Sequence, residues 1–200
     1  MSADRPAEAA LADLARELRE EESVISAHVV DPSEPPTLGV LAASGPRTSD
    51  RAGAYSLIIE CVREGYLLHY GRARLIEPPD QDLALLAGDY LYAKGLQRLA
   101  ALGDLGSVRE LSDLISLLAQ LHAEGGERTE QRAATLWLAS AVAIATAGGD
   151  PHERGKRAVR DGDPAEGLYA AALDAASLAG IDEQLAEAAE AIGFRPSHRG

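Results

Sequence analysis

One cysteine, Cys61, stands among the 200 residues. An intrachain disulfide is therefore excluded, and so is a cysteine-rich zinc site. Aromatic residues are almost as scarce, with one Phe, one Trp and six Tyr. So few large flat side chains, set in a background of Leu and Ala, favour closely packed helices over a sheet sandwich. No run of 18 apolar residues occurs, so no integral membrane segment is expected. No secretory signal pattern opens the sequence, and a cytoplasmic location is expected. Cations are in short supply: 19 Lys and Arg face 32 Asp and Glu, for a net charge of −13. Nucleic acid is disfavoured as a partner because it needs basic patches, and an anionic membrane surface is disfavoured for the same reason. The motifs HExxH, GxSxG, GxxxxGK and GxGxxG are all missing. The five histidines, His28, His69, His122, His152 and His198, show no compact ligand spacing, so no metal and no cofactor are expected.

What the sequence does contain is helical pattern. Ala7 to Glu22 is acidic and Ala-rich, with Leu11, Leu14, Ala15 and Leu18 on one side. Val24 to Val30 is β-branched but has no evident strand partner, so it either extends that helix or crosses it. Three prolines between Asp31 and Pro36 break the chain. Leu38 to Ala43 fits a helical turn packed on the body. Arg51 to Tyr70 reads as a helix with a broad apolar face, and Cys61 packs there as a small hydrophobe. Asp82 to Leu102 is a helix with Asp80 as cap and Gly103 as stop. Ser107 and Glu110 have capping-box spacing ahead of the next helix. Thr129 to Ala147 is apolar on several sides and ends at Gly148-Gly149. Asp150 to Gly162 mixes Pro, Gly and charge, and reads as a loop or a single turn. Asp163, Pro164 and Glu166 open a helix to Ala179. Ile181 to Ile192 is the last one, with a solvated acidic face from Glu183 to Glu190. The expectation is one all-α domain over residues 1–200, a bundle of about seven helices with flexible termini.

Candidate polar sites cluster near the second and third long helices. In DLALLAGDYLYAKGLQRLAAL, Leu85, Leu86, Ala93 and Leu96 fall near one face, and Asp89 lies between them. An aspartate in an apolar stripe needs donors, a cation or a ligand. Tyr90, Tyr92 and Lys94 either line a groove beside it or serve as boundary residues, with Lys94 extending its stem to water. His69 ends the preceding helix. Arg72 and Arg74 follow at once, and either meet a diphosphate or pair with the surplus carboxylates. Trp137, on a mostly apolar helix, reads as core or interface.

The order of these stretches resembles the all-α isoprenyl diphosphate synthases, the trans-prenyltransferases that build polyprenyl chains. LIIECVREGYLLHY is similar to the helix that in this family ends in a histidine before the first aspartate-rich motif. LLAGDYLYAKGLQRLAALGD is similar to its GD-containing helix, VRELSDLISLLAQLHAEG to the next one, and QRAATLWLASAVAIATAGG to its K-T-A-x-L-F helix. The resemblance spans Tyr55 to Gly149 and implies a truncated isoprenoid-synthase-like fold. His69, Gly88 and Asp89 match the family pattern residue by residue. The metal-binding DDxxD motifs do not: after His69 the chain has Tyr70, Gly71 and Arg74 where aspartates should stand. Arg132 and Ala133 replace the Lys and Thr of the K-T-A stretch, and GLYAAALDAASLAG offers only Asp174 for the second motif.

The resemblance therefore implies no catalysis by this chain alone. It is similar in kind to the non-catalytic small subunit of two-component heptaprenyl diphosphate synthases, which also carries an AGDY element like Ala87 to Tyr90. The reading is a regulatory or structural subunit that shapes the product groove of a catalytic polyprenyl synthase chain, or that self-associates as a homodimer, with an isoprenoid as ligand. The alternative is a helical ligand-binding or protein-interaction module that kept the fold without its chemistry. A third reading, an enzyme of another mechanism using Asp89, requires polar groups that converge on that carboxylate.

Overall fold

The computed structural model describes residues 4–163 and 165–195. Pro164 and His198, both singled out above, lie outside the described residues. Among the described residues are ten α-helices and no sheet: α1 Asp4–Glu8, α2 Ala10–Glu20, α3 Thr37–Ala43, α4 Ala52–Tyr70, α5 Gln81–Ala101, α6 Leu105–Glu124, α7 Thr129–Thr146, α8 Asp150–Arg160, α9 Glu166–Ala179 and α10 Asp182–Ala191. The all-α expectation holds, while the count exceeds the expected seven for identifiable reasons. The first acidic helix is interrupted at Ala9. Leu38 to Ala43 forms a true short helix, α3.

The stretch read as a loop, Asp150 to Gly162, is largely the helix α8. Its proline occupies the first turn, where a missing N–H costs nothing. Its glycine is a packing device: a Cβ on Gly155 would lie 2.9 Å from Leu168 Cα, so α8 and α9 touch backbone to backbone there.

Two helices carry the core. Along α7 every side chain from Ala133 to Ala145 is buried, which the apolar, Ala-rich sequence demands. It packs on α3, α6, α9 and α10. Along α4 burial is nearly continuous from Tyr55 to Tyr66 and includes Glu60 and Glu64. It packs on α1, α2, α3 and α5. The two meet where the Tyr66 ring stands edge-on to Trp137 at 5.6 Å. A smaller core gathers Leu11, Leu14 and Leu18 of α2 with Cys61, Leu75, Ile76 and Leu91. Cys61 is buried there as expected. Its thiol is pushed up to about 12 by burial, which makes it inert.

The β-branched stretch before the proline break does find a partner. Val29 bridges Ile76, with Val30 N–H donating to Leu75 O at 2.8 Å and Glu77 N–H to His28 O at 2.9 Å. That bridge ties the 71–78 connection to the 28–30 segment. Phe194 folds back onto Tyr169, ring centroids 4.5 Å apart.

Candidate functional site

The face of α5 differs from the one apolarity suggested. Its buried residues are Ala84, Ala87, Gly88, Leu91, Gly95 and Leu99. Leu85 and Leu86 are exposed, Leu86 by 55 %. Asp89 points outward with them and is 76 % exposed, so the expectation that it lies toward the core is overturned. The physical reason is backbone proximity. A Cβ on Gly88 would come 2.6 Å from His69 Nε2, one on Gly65 2.9 Å from Gly88 O, and one on Gly95 would run into Val62 Cγ2. Only glycine fits at Gly88 and Gly95 in a seam this tight, so Leu85 and Leu86 are turned outward while Leu91 and Leu99 stay buried.

His69 and Asp89 nonetheless end up side by side. Nε2 of His69 lies 3.2 Å from Asp89 Oδ1, without hydrogen-bond alignment, and the imidazole is 14 % exposed. The Tyr92 ring stacks on His69 at 5.3 Å. Beside them Tyr70 stacks on His122 of α6 at 4.1 Å, and the Tyr66 hydroxyl meets His122 Nε2 at 3.0 Å. Burial lowers the His122 imidazole below its usual range and pushes Tyr66 up to about 12. Arg132 lies 3.7 Å from Glu124.

Tyr90 and Lys94 do not join that group. Both reach across to α2: the Tyr90 hydroxyl donates to Glu21 at 2.5 Å, and the Lys94 ammonium donates to the same carboxylate. Arg98 pairs with Glu17 one turn on. Burial alone raises the Glu21 carboxyl, but hydrogen bonds from Lys94 and Tyr90 outweigh it and bring the group below its ordinary value. These residues clamp α2 to α5.

Arg74 is consumed structurally. Its guanidinium lies 2.8 Å from Glu60 and 3.4 Å from Glu64, both fully buried. Glu64 also accepts the N–H groups of Arg74 and Leu75 at 2.8 and 2.6 Å, and Glu60 accepts Gly39 N–H at the start of α3 at 2.7 Å. Desolvation dominates at Glu64 and raises its carboxyl despite Arg74. Of the groups that follow His69, Tyr70 is thus a stacked tyrosine and Arg74 a neutralised guanidinium. These groups do not fit magnesium, which needs oxygen ligands. Arg72 is exposed at the mouth of a cavity that Arg63 and Arg74 also line.

A second polar cluster went unread in the sequence. Glu110 was expected to cap α6; instead Asp104 does so, accepting from Ser107 N–H at 3.0 Å and from its hydroxyl at 2.7 Å. Glu110 is buried and accepts from Ser140 at 2.7 Å and Lys156 at 2.6 Å, with His152 Nε2 at 2.9 Å. Burial would raise the Glu110 carboxyl, but the bonds from His152, Lys156 and Ser140 bring it to about 2. Asp113 and Glu153 lie 3.0 Å from the same ammonium. Glu110, His152 and Glu153 have ligand atoms within 4.8 Å of one another. Lys156 already occupies the point where these carboxylates converge, so a metal ion there would meet a buried ammonium. The sequence signal was His152, Lys156 and Val159 at helical spacing, visible only once α8 is recognised as a helix.

Of the residues proposed from sequence, His69, Asp89 and Tyr92 come together, Tyr90 and Lys94 bind α2, Arg74 is internal, and Arg72 stands apart at the cavity. No model of a protein family matches the chain, and neither a search of curated proteins nor one of solved structures finds a match.

Proposed function

We propose that the chain is a non-catalytic subunit that docks, through the outer face of α5, on a catalytic polyprenyl diphosphate synthase chain and helps shape its product groove. One observation carries this reading: Leu85, Leu86 and Tyr90 stand exposed along the side of α5 that faces away from α4. Large apolar side chains aligned on one helix suit burial by a partner. The choice of partner rests on the sequence resemblance. Support for the non-catalytic role comes from the groups at the aspartate-motif positions, where Tyr70 is stacked and Arg74 is locked between Glu60 and Glu64.

A second reading, a ligand-binding module, is favoured by a different observation: a cavity of about 960 Å³ lined in part by the half-buried Arg63.

The experiment for the first reading mixes the purified chain with a catalytic chain from the same organism that carries both DDxxD motifs. The chain alone is expected to give no magnesium-dependent turnover of an allylic diphosphate, and the mixture is expected to give a product-length distribution different from that of the catalytic chain alone. An unchanged distribution with no complex formed, or chelator-sensitive turnover by this chain alone, would contradict the proposal.

A further inference from the structure

The cavity lies between the start of α3, one side of α4 and the 71–78 connection. Leu38, Leu67, Leu68 and Ile76 line it with hydrocarbon. Its three arginines are not equivalent. Arg74 is held by Glu60 and Glu64. Arg63 is half-buried, and among the described residues no carboxylate comes within ion-pair distance of it. Its guanidinium lies 4.8 Å from the Tyr66 ring and 5.0 Å from the Trp137 ring. Aromatic faces attract a cation but accept none of its five N–H bonds in the guanidinium plane. Burial lowers this group to about 10, against the opposing pull of Tyr66, Glu60 and Glu130. A half-buried guanidinium with no carboxylate partner, lining a cavity, is a receptor for an oxyanion.

The surroundings narrow the class of ligand. Glu34 and Glu77 are exposed along the same cavity, and Asp31, though paired with Arg19 at 2.7 Å, adds a third carboxylate. The chain as a whole carries −13. Each further negative charge on a ligand adds repulsion from these groups, while Arg63 and Arg72 offer two cations. A singly charged head suits this balance better than a phosphate dianion. The leucine-lined wall suits a short hydrocarbon tail.

We propose that this cavity binds a small amphiphilic monocarboxylate, with the carboxylate on Arg63 and Arg72 and the hydrocarbon against Leu67 and Leu68. This rests on the ligand-binding reading and is independent of any partner at α5. Binding is non-covalent and needs no co-reactant.

Octanoate is the probe, titrated by calorimetry into the full chain, with inorganic phosphate and 1-octanol as parallel arms. Emission of Trp137, the single tryptophan, reports whether the ligand reaches Arg63. Saturable octanoate binding is expected, accompanied by a change in Trp137 emission. It should weaken about tenfold or more in Arg63→Met. It should weaken several-fold in Arg72→Ala, and stay unchanged in Arg16→Ala, an exposed arginine on α2. Should circular dichroism show Arg63→Met unfolded, Arg63→Lys takes its place and is expected to weaken binding by losing the two-pronged contact. Equal binding of 1-octanol, or octanoate affinity unmoved by the Arg63 and Arg72 changes, overturns the site. Tighter binding of phosphate, lost in Arg72→Ala, overturns the carboxylate assignment and leaves the ligand-binding reading intact. No saturable binding in any arm overturns both.

Discussion

The strongest single-residue effects belong to the Glu110 cluster, because its charges are buried and mutually dependent. Lys156→Leu removes the ammonium that neutralises Glu110, Asp113 and Glu153. Breaking a buried pair on one side costs roughly 3–5 kcal/mol, whereas replacing both partners with apolar groups costs far less. The double change Glu110→Leu/Lys156→Leu is therefore expected to be more stable than Lys156→Leu in urea melts. The pH dependence has a definite sign. Glu110 titrates at about 2 in the folded protein, below its ordinary 4.5. Its contribution is therefore complete above about pH 4.5 and lost as pH falls through about 2, and is on the order of 3 kcal/mol. Glu110→Gln should flatten the acid limb of the stability curve, and an unchanged limb would show that other carboxylates carry it. Asp89→Ala, at an exposed site, is expected within about 0.5 kcal/mol of wild type. The contrast shows where residue-level reading of the sequence works. Cys61, Trp137 and the Asp80 cap behave as their chemistry suggests. Asp89 does not, because the apolarity of its neighbours Leu85 and Leu86 points to a core face, and helix spacing cannot tell which of two faces a partner helix selects.

Packing between elements here is set by small residues, and this is the feature hardest to see in a sequence. Gly65, Gly88 and Gly95 bring α4 and α5 together. Each costs helix stability of about 1 kcal/mol relative to Ala, a cost the close approach must offset. Gly95→Ala would press a methyl group into buried, stiff Val62 and is expected to destabilise by roughly 1–3 kcal/mol. Gly167→Ala, in the first turn of α9 with nothing within 4 Å, is expected to stabilise by up to about 1 kcal/mol. Thermal melts of the two variants should shift in opposite directions, and a matching shift would refute the close-packing account. The long helices α4, α5, α6, α7 and α9 are legible from periodicity within a few residues. α8 was not, because Pro151 and Gly155 look like breakers when the proline is in truth a first-turn residue and the glycine a contact with Leu168.

At the scale of the whole molecule, the chain builds one extensive helical core around α4 and α7 and leaves the outer side of α5 uncovered. No helix of the described residues is long and apolar enough to cross a membrane. The central claim is that the outer side of α5 is a subunit surface. Sedimentation velocity tests it most directly, on wild type and on Leu86→Glu, each with an equimolar catalytic polyprenyl synthase chain at micromolar concentration. Leu86 is exposed, so the substitution leaves the fold intact and the two proteins should melt alike. The account predicts a heteromeric complex with wild type, and loss of that complex with Leu86→Glu through the burial of an unpaired charge. A complex equally stable with Leu86→Glu, or wild type sedimenting apart from the catalytic chain at every ratio, would contradict it.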